Sequence, residues 1–169
     1  MSVMQKLMKA SKIKESAILS ESKVYAASAL VDTGVPMINV ALSGDVDGGL
    51  SPGLTVLAGQ SKHFKTSFAL LMAAAYMRDK KDAVMLFYDS EFGSPQAYFD
   101  TFGIDTDRVL HVPVMNVEEL KFDVVAQLEA LDKKDDVIIV IDSIGNLASK
   151  KELEDTMNEK SVADMTRAK

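Results

Sequence analysis

Two strand-length apolar runs, AVMLFY at Ala83–Tyr88 and VIIVI at Val137–Ile141, limit the folds open to this chain. Neither alternates polar with apolar residues, so as strands both must be covered on two faces. A strand of that kind belongs to a parallel sheet with helices packed above and below. The segments around the runs carry the helices. Thr66–Lys80 has little polarity on any side, as a helix packed against a sheet requires. Val117–Leu131 sets Leu120, Val124, Leu128 and Leu131 along one face, and Asn116 with Glu119 forms a cap pair at its start. Ser149 and Glu152 cap a further helical piece, and the turn-rich EFGSPQAY feeds a short helix to about Phe102. His111–Val114 reads as a brief strand. Leu54–Ala58 reads as a short buried strand and Met37–Leu42 as another, with the turn-rich loop Ser43–Gly53 between them. Met1–Lys14, with Val3, Met4, Leu7 and Met8 at helical spacing, reads as an amphipathic helix. The fold class expected is α/β, with a mostly parallel sheet flanked by helices.

In such sheets ligands bind at the carboxyl ends of strands, and three candidate features lie there. The first is AGQSKHFKTS, Ala58–Ser67, between the expected strand Leu54–Ala58 and the helix from Thr66. Its spacing is that of a phosphate-binding loop, Gly, four residues, Gly, Lys, Ser/Thr. Here Gly59 is followed by Gln60, Ser61, Lys62 and His63, and then by Phe64 where glycine is usual. Backbone N–H groups and the helix N-terminus would supply positive potential. Lys65 would reach the β- and γ-phosphates, and the Thr66 hydroxyl would bind Mg²⁺. At positive φ a side chain costs about 1–2 kcal/mol. If the residue before Lys65 enters the helix at negative φ, Phe64 loses little and its ring packs beside the loop. His63 reads most simply as a solvent-facing loop residue.

The second feature is Asp142, which ends VIIVI and is placed to hold a metal's water shell, or else caps the turn after a buried strand. The third is Glu91, just past the other strand. It could polarise a water for attack on a γ-phosphate, with Asp89 and Ser90 as competitors for that role, or be a surface acid in a loop. The order and context of the three agree on a nucleotide site with Mg²⁺.

Bulk properties narrow the remaining classes. At 169 residues, 47% hydrophobic and 26% charged, the chain can build one domain with a core. It has no cysteine, so it has neither disulfides nor a cysteine-ligated metal, and His63 and His111 lie too far apart in sequence to suggest a zinc site. The net charge of −6 argues against coating nucleic acid with the whole surface, though not against contact through inner loops. Met1–Val24 is the basic exception, with five lysines and two glutamates. No apolar run approaches a membrane span and no signal peptide is visible, so no membrane partner is expected, and the lack of cysteine fits a reducing cytoplasm.

The set AGQSKHFKTS, LFYDSEFG, VIIVIDSIGNLASKKE and NEKSVADMTRAK closely resembles the UvsX recombinases of T-even-type bacteriophages, relatives of bacterial RecA. The likeness runs through nearly the whole chain, including PMINVALSG at Pro36–Gly44, and that family too has a bulky residue before the loop lysine. The resemblance implies a RecA-like phosphate-loop core and a DNA-dependent ATPase. Such a protein forms helical filaments on single-stranded DNA and promotes homologous strand exchange in recombination and repair. Recombination accessory and single-strand-binding proteins would be its partners, in a host cell cytoplasm if phage-encoded.

Carried over by position, Gly59, Gln60, Ser61, Lys62, His63, Phe64, Lys65, Thr66 and Ser67 form the nucleotide loop. Glu91 is the catalytic glutamate and Asp142 the metal-shell aspartate. Tyr98 matches the aromatic that stacks on adenine; on sequence alone it could equally be a core tyrosine. Val162 matches a residue that wedges between bases and Arg167 one that contacts the DNA backbone. Residues 1–33, with a strand around Val24–Ala26, match a helix and arm that dock on the neighbouring protomer. Residues 34–169 match a partial, truncated core ending in the first DNA-binding loop region.

By that resemblance the second DNA-binding loop, the γ-phosphate sensor and the basic residues given by a neighbour are absent. So is the strand expected between the Val56 and Ile139 strands, which would leave both without a central partner. Two other readings stand beside the recombinase. One is a non-catalytic module that docks on or caps recombinase filaments. The other is a phosphate-loop kinase or motor, for which no acceptor pocket or lid is visible.

Overall fold

The computed structural model describes residues 2–22 and 30–157. Its centre is a three-stranded parallel sheet of β1 (Val84–Asp89), β2 (Val109–Pro113) and β3 (Val137–Asp142), in the order β2-β1-β3. In register Leu86 lies beside Leu110 and Ile139, and Asp89 beside Pro113 and Asp142. Helix α3 (Lys65–Asp79) covers one face and α5 (Val117–Ala130) the other. On the α3 face Leu70, Ala73 and Met77 pack on Met85, Phe87 and Val140. Helix α4 (Gln96–Thr101) adds Phe99, whose ring meets Phe87 edge-on at 5.0 Å. On the other face Leu120 packs with Leu86 and Tyr88, and the Tyr88 hydroxyl donates to Asp123 at 2.7 Å. Covering both faces is what the non-alternating runs require.

The expected caps are present. Asn116 Oδ1 accepts from Glu119 N–H at 2.9 Å at the start of α5. The Ser149 hydroxyl accepts from Glu152 N–H, and the Glu152 carboxylate accepts from Ser149 N–H, at the start of α6 (Lys150–Met157). Helix α1 spans Val3–Ala10, shorter than expected, and opens on a Ser2/Gln5 capping box. Its apolar residues Val3, Met4, Leu7 and Met8 are all exposed. The expected strand around Val24–Ala26 lies outside the described residues.

Two strand expectations fail. Met37–Leu42 lies within helix α2 (Pro36–Ser43), not a strand. Proline at the first helical position presets the helix, and Gly44, at φ 77°, closes it in the left-handed conformation. Its one buried residue is Asn39. The Asn39 Oδ1 accepts from Thr33, and its Nδ2 donates to Asp32 and to the Val46 carbonyl. Leu54–Ala58 pairs with no strand among the described residues and is exposed along its whole length, with Leu54 90% and Val56 74% accessible. A strand needs a neighbour for its backbone hydrogen bonds. Val137–Ile141 has one in β1 and forms β3, whereas Leu54–Ala58 has none among the described residues.

Candidate functional site

Alternation along the strands aims the site. In β1 Met85, Phe87 and Asp89 face α3, and in β3 so do Ile138, Val140 and Asp142. The two acids therefore emerge side by side at the carboxyl end of the sheet, next to the loop that opens α3. The Thr66 hydroxyl, in the first turn of α3, donates to Asp142 Oδ2 at 2.7 Å across 76 residues of chain. That bond joins two of the three sequence features.

Loop, strand ends and α4 enclose a cleft of about 500 Å³, lined by Ser61–Ser67 with Glu91, Tyr98, Asp142, Ser143 and Asn146. Gly59 and Gln60 do not line it, but the Gln60 carbonyl accepts from the Lys65 ammonium at 2.8 Å. Ser67 and Tyr98 are joined through their hydroxyls. Tyr98 is half-buried, packs edge-on against Phe102 at 5.4 Å and leans on the core. Tyr98 thus lines the cleft and packs on the core at once. The His63 ring lies 2.9 Å from the Ser61 carbonyl and is otherwise exposed, in line with its reading as a loop residue.

Phe64 corrects its expectation. It adopts φ 57°, as glycine would, and its ring is 72% exposed instead of packed beside the loop. Lys62 also has positive φ, at 63°. Each such residue costs about 1–2 kcal/mol and persists only where the surroundings demand the turn. The Phe64→Gly protein should therefore be more stable than Phe64→Ala by about 1 kcal/mol. Both variants lose the same exposed ring, and only alanine keeps the left-handed penalty. Denaturant midpoints compare them, and a Gly variant no more stable than Ala would contradict the strain.

The three acids separate by environment. Asp89 is buried, and its Oδ1 accepts from the backbone of Glu91 at 3.0 Å and of Phe92 at 2.7 Å. The Ser90 hydroxyl donates to the Ser143 carbonyl at 2.7 Å and accepts from the Ser143 N–H. Neither lines the cleft; Glu91 does, and its Oε1 accepts from the Ser143 hydroxyl at 2.9 Å. Burial pushes the Asp142 carboxyl above the usual carboxylate range, and the charges of Glu91 and Asp89 push the same way. The Thr66 hydrogen bond and Lys65 oppose them.

Sequence reasoning missed Ser143 and Asn146. Their only signal was their place just after Asp142, in DSIGN. Val162 and Arg167 lie outside the described residues. Among the described residues no group of three or more acids, histidines or cysteines could hold a metal, and no helix is long and apolar enough to cross a membrane.

Comparison with known proteins shows the family. Residues 4–169 match the RecA N-terminal domain family. The "Recombination and repair protein" of Enterobacteria phage T4 is 52% identical over 97% of this chain. Proteins RecA of Mycoplasma genitalium and of Synechocystis are 32% and 31% identical over 78% and 81% of it. The chain spans 42%, 37% and 36% of the lengths of these three relatives. The family match over residues 4–169 and the 52% identity show that the chain belongs to the RecA family.

Proposed function

We propose that this chain carries the nucleotide site of an ATP-dependent DNA recombinase that assembles as a filament on single-stranded DNA and promotes strand exchange. The observation that carries the reading is the Thr66–Asp142 hydrogen bond, with Lys65 and Glu91 in the same cleft. Loop N–H groups and Lys65 would bind the β- and γ-phosphates, and the Tyr98 ring would support the base. The donor set suits Mg²⁺: a hydroxyl and one carboxylate, with water and phosphate oxygens completing a shell that this ion rarely surrenders to protein. Burial raises Asp142 first, and the neighbouring charges of Glu91 and Asp89, which push the same way, also favour a cation there. Bound Mg²⁺ would neutralise charge developing on the phosphates. Glu91 then has one task, to accept a proton from the attacking water. Its Ser143 hydrogen bond leaves Oε2 for that purpose.

DNA contact through Val162 and Arg167, and docking of residues 1–33 on a neighbouring protomer, belong to the same proposal. The exposed apolar stripe of α1 supports the docking. Accessory partners and a place in a host cytoplasm belong to the proposal as well. The stripe equally suits a non-catalytic module that docks on recombinase filaments, and one experiment separates the two. Mg-ATP binding and hydrolysis are measured for this chain with and without single-stranded DNA. DNA-stimulated turnover is the expected result. Nucleotide binding without turnover would restrict the chain to the nucleotide site, and absence of both would leave the docking module.

A further inference from the structure

We infer that Asp89, braced by His111, is the positioning residue that holds Glu91 in the cleft. The inference rests on the proposed role of Glu91, but its evidence lies in other residues. Glu91 is exposed and sits two residues beyond the end of β1, where its side chain is held by the Ser143 hydroxyl and its backbone has left the sheet. The next residue, Phe92, has φ 54°, a left-handed conformation that a phenylalanine adopts only under constraint. Asp89 supplies the constraint. One oxygen, Oδ1, accepts both the Glu91 and the Phe92 N–H, so a single carboxylate defines the turn.

Asp89 is itself well anchored. It is 3% exposed and ends the central strand, its carbonyl accepting from Val114 N–H at 2.9 Å. On the other side Ser90 N–H donates to the Asp142 carbonyl, also at 2.9 Å. The second carboxylate oxygen has a partner from the neighbouring strand. His111 Nε2 lies 3.2 Å from Oδ2, and since a carboxylate only accepts, the imidazole is the donor. The His111 ring stacks on buried Phe87, at 5.9 Å between centroids and 29° between planes. Residues 87, 89 and 111 thus share one face of the sheet, and β2 reaches the catalytic loop through a single imidazole. The magnitudes rank the two. A hydrogen bond from backbone to a buried carboxylate is strong, whereas His111 is half-exposed, and such contacts contribute little.

Amide hydrogen exchange followed by NMR tests the hold directly. Asp89→Ala should speed exchange at the Glu91 and Phe92 amides roughly ten- to a hundredfold, while Leu86 and Tyr88 keep their protection. Asp89→Asn retains a carbonyl oxygen for both N–H groups and should restore most of it. His111→Ala should give a change of about two- to fivefold at the same two amides. In Mg-ATP turnover Asp89→Ala should lower kcat with nucleotide affinity unchanged, and Asp89→Asn should recover it. A residue needed only for folding would not give that split or that rescue. If Asp89→Ala does not fold, the exchange rates of His111→Ala and Asp89→Asn carry the test. Unchanged exchange at Glu91 and Phe92 overturns the proposal. So does an unchanged kcat in Asp89→Ala where Glu91→Gln abolishes turnover. Turnover surviving Glu91→Gln would remove Glu91 as the base while leaving the exchange result to stand for the turn.

Discussion

Replacing Glu91 by glutamine is expected to cut ATP turnover by about 10²–10⁴-fold while leaving Mg-ATP affinity unchanged. The substitution isolates the chemistry because it spares the geometry. Gln keeps an Oε1 that can accept from the Ser143 hydroxyl, and the backbone N–H at position 91 still reaches Asp89. What it loses is the ability to take a proton from water. Position 91 lines the cleft with its side chain hydrogen-bonded to Ser143, while the loop carries the groups expected to grip the phosphates, so binding should persist. Single-turnover hydrolysis beside equilibrium nucleotide binding makes the measurement. Turnover that survives would send the search for the base elsewhere. It would not lead to Asp89, whose carboxylate oxygens already serve two backbone amides and His111. A residue from a neighbouring protomer would then be the better candidate.

Glu91 also marks where sequence was sufficient and where it was not. Asp89, Ser90 and Glu91 stand in a row after a strand, and by residue type each could face the nucleotide. Only the fold separates them, by burying Asp89 and committing the Ser90 hydroxyl to Ser143. By contrast β1, β3 and the helices between them are legible as patterns, because a continuous apolar run and a capped amphipathic run each have one low-energy home. Leu54–Ala58 has the same apolar character and no strand, since composition specifies what can pair but not whether a partner stands beside it. Met37–Leu42 misleads for the opposite reason. Its apolar content suits a strand, and the deciding information sits at its edges, in Pro36 and Gly44. Phe64 is the most instructive error. A non-glycine residue in the glycine slot suggests a backbone that has changed to suit it, and the backbone instead keeps the glycine conformation at φ 57°. The geometry of the loop, with Lys62 at positive φ as well, outweighs the preference of one side chain.

Lys65→Ala is expected to weaken Mg-ATP binding by roughly ten- to a hundredfold, the range for losing charge-assisted hydrogen bonds to phosphate. It should do so without unfolding the domain. The ammonium donates to the Gln60 carbonyl, an exposed group that water can satisfy in its place, and among the described residues no ion pair of Lys65 lies in the core. The rest of α3 rests on Leu70, Ala73 and Met77, which the substitution does not reach. The loss should also discriminate among ligands. If Lys65 grips the β- and γ-phosphates, affinity for ATP falls more than affinity for AMP, and a merely distorted loop would weaken both alike. Calorimetric titration with the two nucleotides, beside a thermal melt of each protein, reads all three effects. Equal affinity for ATP in Lys65→Ala and the unaltered chain would remove the loop from phosphate binding. The Thr66–Asp142 bond would then be a structural latch between α3 and β3 and no part of a metal site.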